Sequence, residues 1–126
     1  MDKVFIIGDK SLTISIIHKI LNENISLVLS DEVKENINTC RNYLDEKIKG
    51  SSHPIYGVNT GFGSLCEKKV PEKDLVRLQR NLVISHACGT GDKVPDDIVK
   101  IMLLLKIQSL AYGHSGVQLA TVERLI

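Results

Sequence analysis

Tryptophan is missing altogether, and three tyrosines and two phenylalanines are the only aromatic residues in 126 positions. So few rings cannot build the aromatic platforms on which single-stranded nucleic acid stacks. An excess of one charge is also missing. Sixteen Lys plus Arg stand against 15 Asp plus Glu, a net of +1, whereas nucleic-acid and membrane-surface proteins carry a basic surplus or patch. The nearest approach to a basic run, Lys68–Lys69, reads as a solvated loop. Cysteine is scarce and scattered. Cys40, Cys66 and Cys88 form no Cys-x-x-Cys pair and have no histidine at ligand spacing, which argues against zinc and for reduced thiols in a cytoplasmic protein. The opening "MDKVFIIGDKSLTISII" has no basic region before its apolar stretch, and Asp9 and Lys10 interrupt it. It reads neither as a signal peptide nor as a membrane span.

What the chain does have is helical periodicity. After an extended start or short hairpin around Gly8-Asp9, Ile14, Ile17 and Leu21, with Ile16 and Ile20, recur at helical spacing up to Asn22–Asn24. His18 lies on the polar edge of that helix and reads as solvated. A strand-like "SLVLS" leads to Ser30 and Asp31, both suited to cap a helix. Val33, Ile37, Cys40, Leu44 and Ile48 then step by three or four up to Gly50, which places Cys40 in an apolar stripe as a small core residue. Pro71 with Glu72 and Asp74, and Pro95 with Asp96 and Asp97, mark two further helix starts. Leu75, Leu78 and Leu82 form the apolar face of the first of these, which is expected to stop at Gly89. The second, "IVKIMLLLKIQSLA", is apolar nearly all the way round, so a domain of this size has difficulty covering it. Beyond Gly113, Ser115 and Gln118 have the spacing of a capping box. The chain stops at Ile126 inside an amphipathic stretch, which suggests the N-terminal portion of something longer.

Two stretches have no such bland account. "YGVNTGFGS" places Gly57, Gly61 and Gly63 within seven residues, giving up backbone entropy at each. Its spacing matches neither Gly-x-Gly-x-x-Gly nor the phosphate loop that ends in Gly-Lys-Ser/Thr, and it contains no lysine. Local chemistry leaves it open between a structural turn and a functional loop in which Tyr56 and Asn59 supply polar tips. In "LQRNLVISHACGTGD", His86 lies four residues after Leu82 and continues the apolar stripe. The local reading favours a hydrogen-bonded core histidine, although its place in the last turn suits a protonated ring.

Taken in order, "YGVNTGFGSL", "LQRNLVISHACGTGD" and "LLLKIQSLAYGHSGV" strongly resemble the aromatic amino-acid ammonia-lyases, the histidine ammonia-lyases in particular. The likeness runs over essentially the whole chain. It implies a mainly α fold, residues 1–126 being the N-terminal part of a large helical catalytic domain with a short extended start and a glycine-rich active-site loop. The rest of that domain would lie beyond residue 126. The family is one of homotetramers whose electrophile is 4-methylideneimidazole-5-one (MIO), made from an internal Ala-Ser-Gly. No Ala-Ser-Gly occurs here; the family places it shortly after "ERLI", so the departure reads as truncation.

By motif position, Tyr56 matches the catalytic base. A free tyrosine titrates near pH 10, so the family's site must stabilise the phenolate. The glycines would let the loop close over substrate and exclude water, and Asn59 would brace it. His86 matches the substrate-determining position. Tyrosine-specific members carry His-Leu at that pair and phenylalanine-specific members Phe-Leu, whereas Ser85-His86 is the arrangement of histidine ammonia-lyases. The implied reaction converts L-histidine to trans-urocanate and ammonia, in a small-molecule enzyme without nucleic-acid or membrane partners. The alternatives are a tyrosine or phenylalanine lyase or aminomutase, or an inert helical module in the isolated chain. His114 reads as structural.

Overall fold

The computed structural model describes residues 3–8, 10–23, 25–50 and 53–126. Asp9 and Asn24, which the sequence reading placed at element boundaries, lie outside them. Five α-helices and a two-stranded sheet make the described chain mainly helical. The chain forms two compact units: residues 1–45 with 93–126, and residues 46–92.

The first unit opens with β1 (Val4–Ile7), α1 (Ile14–Asn22) and β2 (Ser26–Leu29). Of the two openings the sequence allows, the chain takes the extended start and not the hairpin. β1 pairs in parallel with β2, Val4 opposite Ser26 and Ile7 opposite Leu29, with α1 as the crossover between them. A parallel pair needs such a crossover, and the short break at Gly8 cannot supply one. Thr13 caps α1 by accepting from the Ile16 amide. α2 (Asp31–Gly50) begins where Ser30 Oγ accepts from Val33 N at 3.2 Å, the cap read from sequence.

The core of this unit gathers Ile7 and Leu29 from the strands, Val33 and Ile37 from α2, Ile107, Leu110 and Ala111 from α4 (Asp96–Ala111), and Val122 from α5 (Leu119–Leu125). Burial along the α2 stripe weakens after Ile37, and Cys40 is half-buried. Arg41 forms a two-point ion pair with Asp45 and also donates to the Gly116 carbonyl, fixing the turn before α5 to α2. α5 starts at Leu119 with Gln118 as its cap residue and no side-chain cap bond, so the Ser115–Gln118 box is not formed.

The second unit contains the glycine loop and α3 (Glu72–His86). Pro71 is the residue before the first turn of α3, as Pro95 is for α4, and acids occupy both first turns. α3 ends at His86, with Ala87 as its cap, three residues earlier than the expected stop at Gly89. Leu75, Leu78 and Leu82 are half-buried. No helix among the described residues is long and apolar enough to cross a membrane.

Candidate active site

Both residues singled out for chemistry, Tyr56 and His86, lie in the second unit. The loop that carries Tyr56 is held from within. The amides of Val58 and Asn59 both donate to the Ile55 carbonyl, and the Ile55 amide donates to Asn59 Oδ1 at 2.6 Å. Asn59 is 4 % exposed, so this side chain is a buried brace, as its position suggested. Thr60 is fully buried. Its hydroxyl donates to the Gly61 carbonyl at 2.8 Å and accepts from the Gly57 amide.

The far side of the loop closes as a short antiparallel contact. Gly61 N donates to Lys68 O, and Val70 N to Asn59 O, with Thr60 opposite Lys69. A short 3-10 turn, Gly63–Leu65, lies between these arms.

The glycines divide into two kinds. Gly57 and Gly63 have φ of +76° and +56° with open space where a Cβ would stand, so backbone conformation is what requires glycine there. Gly61 has ordinary φ, but a Cβ would come within 2.6 Å of Leu65 Cβ and 2.8 Å of Leu65 O. The missing side chain at Gly61 lets the loop pack on itself. Sequence reasoning missed that role, because a glycine pattern does not say what approaches it.

Against this bound framework Tyr56 stands out. It is 65 % exposed, and its ring meets Phe62 edge-on with centroids 6.1 Å apart. No described residue hydrogen-bonds its hydroxyl. The loop therefore binds Asn59 and Thr60 internally and leaves the Tyr56 phenol exposed.

His86 departs from the local reading as a core histidine, for it is exposed. Its Nδ1 lies 2.9 Å from the Leu82 carbonyl and 3.0 Å from Ser85 Oγ, and Ser85 Oγ itself donates to the same carbonyl at 3.0 Å. The apolar spacing with Leu82 is present, but α3 has no buried residue, so the stripe never becomes a sealed face. No hydrogen bond joins Tyr56 to His86 among the described residues.

His114, in the turn between α4 and α5, is exposed and belongs to the first unit. A cavity of about 520 Å³ lined by Leu21, Leu27, Leu103 and Leu125 also lies in that unit and contains neither candidate residue. Among the described residues no group of three or more His, Cys, Asp or Glu is placed to hold a metal ion.

The curated histidine ammonia-lyase of Legionella pneumophila (strain Lens) is 45% identical over 130 residues, covering all of this chain and 25% of that protein. Among solved structures, histidine ammonia-lyase from Trypanosoma cruzi superposes with a TM-score of 0.81 at 31% identity, over 98% of this chain and 23% of that one. Ergothionase from Treponema denticola, solved with desmethyl-ergothioneine sulfonic acid, gives a TM-score of 0.87 at 27% identity, over 98% and 24%. The chain thus spans about a quarter of the length of the relatives it matches. The model of the family described as aromatic amino acid lyase matches residues 12–126, which include the whole glycine loop and the Ser85–His86 pair. On the strength of that match and of the identities along its full length, the chain belongs to the aromatic amino acid lyase family.

Proposed function

We propose that the chain is the N-terminal portion of a cytoplasmic homotetrameric lyase that eliminates ammonia from L-histidine to give trans-urocanate, with Tyr56 as base. The exposed phenol of Tyr56, on a loop whose Asn59 and Thr60 are bound internally, carries this reading. In the reaction the phenolate takes a proton from the β-carbon, the α-carbon–nitrogen bond breaks, and the electron pair left by the proton becomes the new double bond. Such a proton is a poor acid, so a positioned base contributes roughly 10²–10⁴ in rate.

The MIO group would come from a segment outside residues 1–126, since the sequence holds no Ala-Ser-Gly. The residues present fit that division of labour, because the Tyr56 hydroxyl has no described partner and can face a group carried elsewhere. When bound, MIO supplies an electrophile that turns the amino group into a leaving group. The chain's own contribution is to hold the phenol, shut out water with the loop, and choose the substrate.

Substrate choice is assigned to His86. It sits exposed at the end of α3, where a polar ring can pair with the imidazole of histidine and would be left unpaired by phenylalanine. Relatives named histidine ammonia-lyase, at 38% and 45% identity, support reading the substrate as histidine in preference to tyrosine or phenylalanine. In the full-length protein, Tyr56→Phe is expected to reduce turnover about 10²–10⁴-fold with unchanged circular dichroism; a near-normal rate would remove Tyr56 from the mechanism. Ser85→His with His86→Leu is expected to move activity toward tyrosine, and an unaltered preference for histidine would overturn the substrate assignment. The isolated 126 residues are expected to produce no urocanate absorbance.

A further inference from the structure

We propose that the last turn of α3 holds neutral His86 as its Nδ1–H tautomer, so that Nε2 points away from the helix as a hydrogen-bond acceptor, with Ser85 as the positioning residue. The argument is one of proton counting. A backbone carbonyl can only accept, so the 2.9 Å contact between Nδ1 and Leu82 O is a hydrogen bond only if Nδ1 carries the proton. The single hydroxyl proton of Ser85 is directed to the same carbonyl at 3.0 Å. The Ser85 oxygen, 3.0 Å from Nδ1, then turns a lone pair toward the ring N–H. All three contacts are satisfied together.

The opposite tautomer does worse. An unprotonated Nδ1 would set its lone pair against that of Leu82 O, and Ser85 could relieve it only by giving up its own bond to the carbonyl. Free imidazole has no such bias from a neighbour; here the bias comes from two atoms of one helical turn. Nε2 engages no described residue.

What Nε2 can recognise follows from its protonation. An acceptor pairs with a ring that offers a donor, such as the N–H of an imidazole, and gains nothing from a ring that offers only lone pairs or carbon. This last step rests on the proposed role of His86 in binding the substrate; the tautomer itself does not. The arrangement therefore defines the substrate class more narrowly than a polar pocket would: α-amino acids whose side-chain ring itself contains an N–H donor. Ser85 contributes by fixing His86, without touching substrate.

Two measurements test this. The full-length protein labelled with ¹⁵N-histidine, in alkaline buffer, gives long-range ¹H–¹⁵N correlations that distinguish the two tautomers, the His86 signals being those lost in His86→Gln. The expected result is an unprotonated Nε2 in the parent chain, a shift toward the free-imidazole tautomer mixture in Ser85→Ala, and recovery in Ser85→Thr. A protonated Nε2 in the neutral parent ring, or no response to Ser85→Ala, would overturn the proposal. The second measurement uses the full-length protein and compares kcat/KM for histidine and for thiazol-4-ylalanine, which keeps a ring lone pair but has no N–H. Discrimination of about ten- to hundredfold is expected, narrowing in Ser85→Ala; equal use of both would count against an acceptor at Nε2. A protein inactive on histidine whose Nε2 is unprotonated would refute the functional reading alone. Activity on histidine with a protonated Nε2 would refute this inference alone.

Discussion

At the scale of single residues, the contrast between Asn59 and Tyr56 carries most of the information about the site. Both are polar tips of one loop, yet Asn59 is buried and bonded to the Ile55 amide while Tyr56 is exposed. Asn59→Ala would leave that amide without its partner, which costs about 1–3 kcal/mol. A lower midpoint in denaturant unfolding is the expected result, and Asn59→Asp, which keeps an acceptor, should recover part of it. A second effect belongs to Glu23. A hydrogen bond from Lys3, and then the charge of Lys3, hold its carboxyl below the ordinary value of 4.5. A carboxyl lowered in the folded state stabilises the fold above its unfolded pKa and loses that contribution as the pH falls through the folded value. Thermal melts of Glu23→Gln should therefore fall slightly below the parent at neutral pH and low salt, and converge with it in acid. Because both groups are exposed, salt should reduce the difference as well.

At the scale of elements, the glycine loop is a closed structure with its own internal bonds. Gly61→Ala would drive a Cβ to within 2.6 Å of Leu65 Cβ and 2.8 Å of its carbonyl. A backbone oxygen cannot move aside as a side-chain tip can, so a loss of about 1–3 kcal/mol is expected from overpacking. In the full-length protein that loss should come with reduced turnover, because the same turn sets where Tyr56 stands. The strands teach a different lesson. A β-rich start with a glycine reads equally as a hairpin or an extended segment; in the fold β1 lies parallel to β2 with α1 crossing between them, and Ile7 and Leu29 are buried. Pairing is a long-range choice, and local sequence cannot make it.

At the scale of the whole molecule, stability rests on the core of the first unit. Ile37 is 1% exposed and packed in the cluster with Ile7, Ile107 and Val122. Ile37→Ala should cost about 2–5 kcal/mol in denaturant unfolding, the usual result of deleting buried methylenes that neighbours cannot replace. The apolar helix α4 divides between two environments. Leu104, Ile107 and Ala111 are buried, whereas Ile98, Met102 and Leu105, on the opposite face, are 45%, 62% and 49% exposed. Apolar surface of this kind takes up hydrophobic dyes. The isolated chain is expected to bind such a dye, and Met102→Gln with Leu105→Gln to reduce the fluorescence without lowering helix content.

The sequence by itself determined where α2, α3 and α4 start and which stripe of α2 is apolar, because caps, prolines and a 3.6-residue period are local properties. It also isolated the two stretches proposed to carry chemistry, through the resemblance of "YGVNTGFGSL" and "LQRNLVISHACGTGD". Tertiary structure alone decided that β1 and β2 run parallel, that His86 is exposed instead of buried, and that Gly61 makes room for Leu65. Each of those depends on what a residue meets across space. The same holds for "YGVNTGFGS": three glycines signalled an unusual loop, but only the structure shows that Asn59 and Thr60 are buried within it while Tyr56 stays exposed.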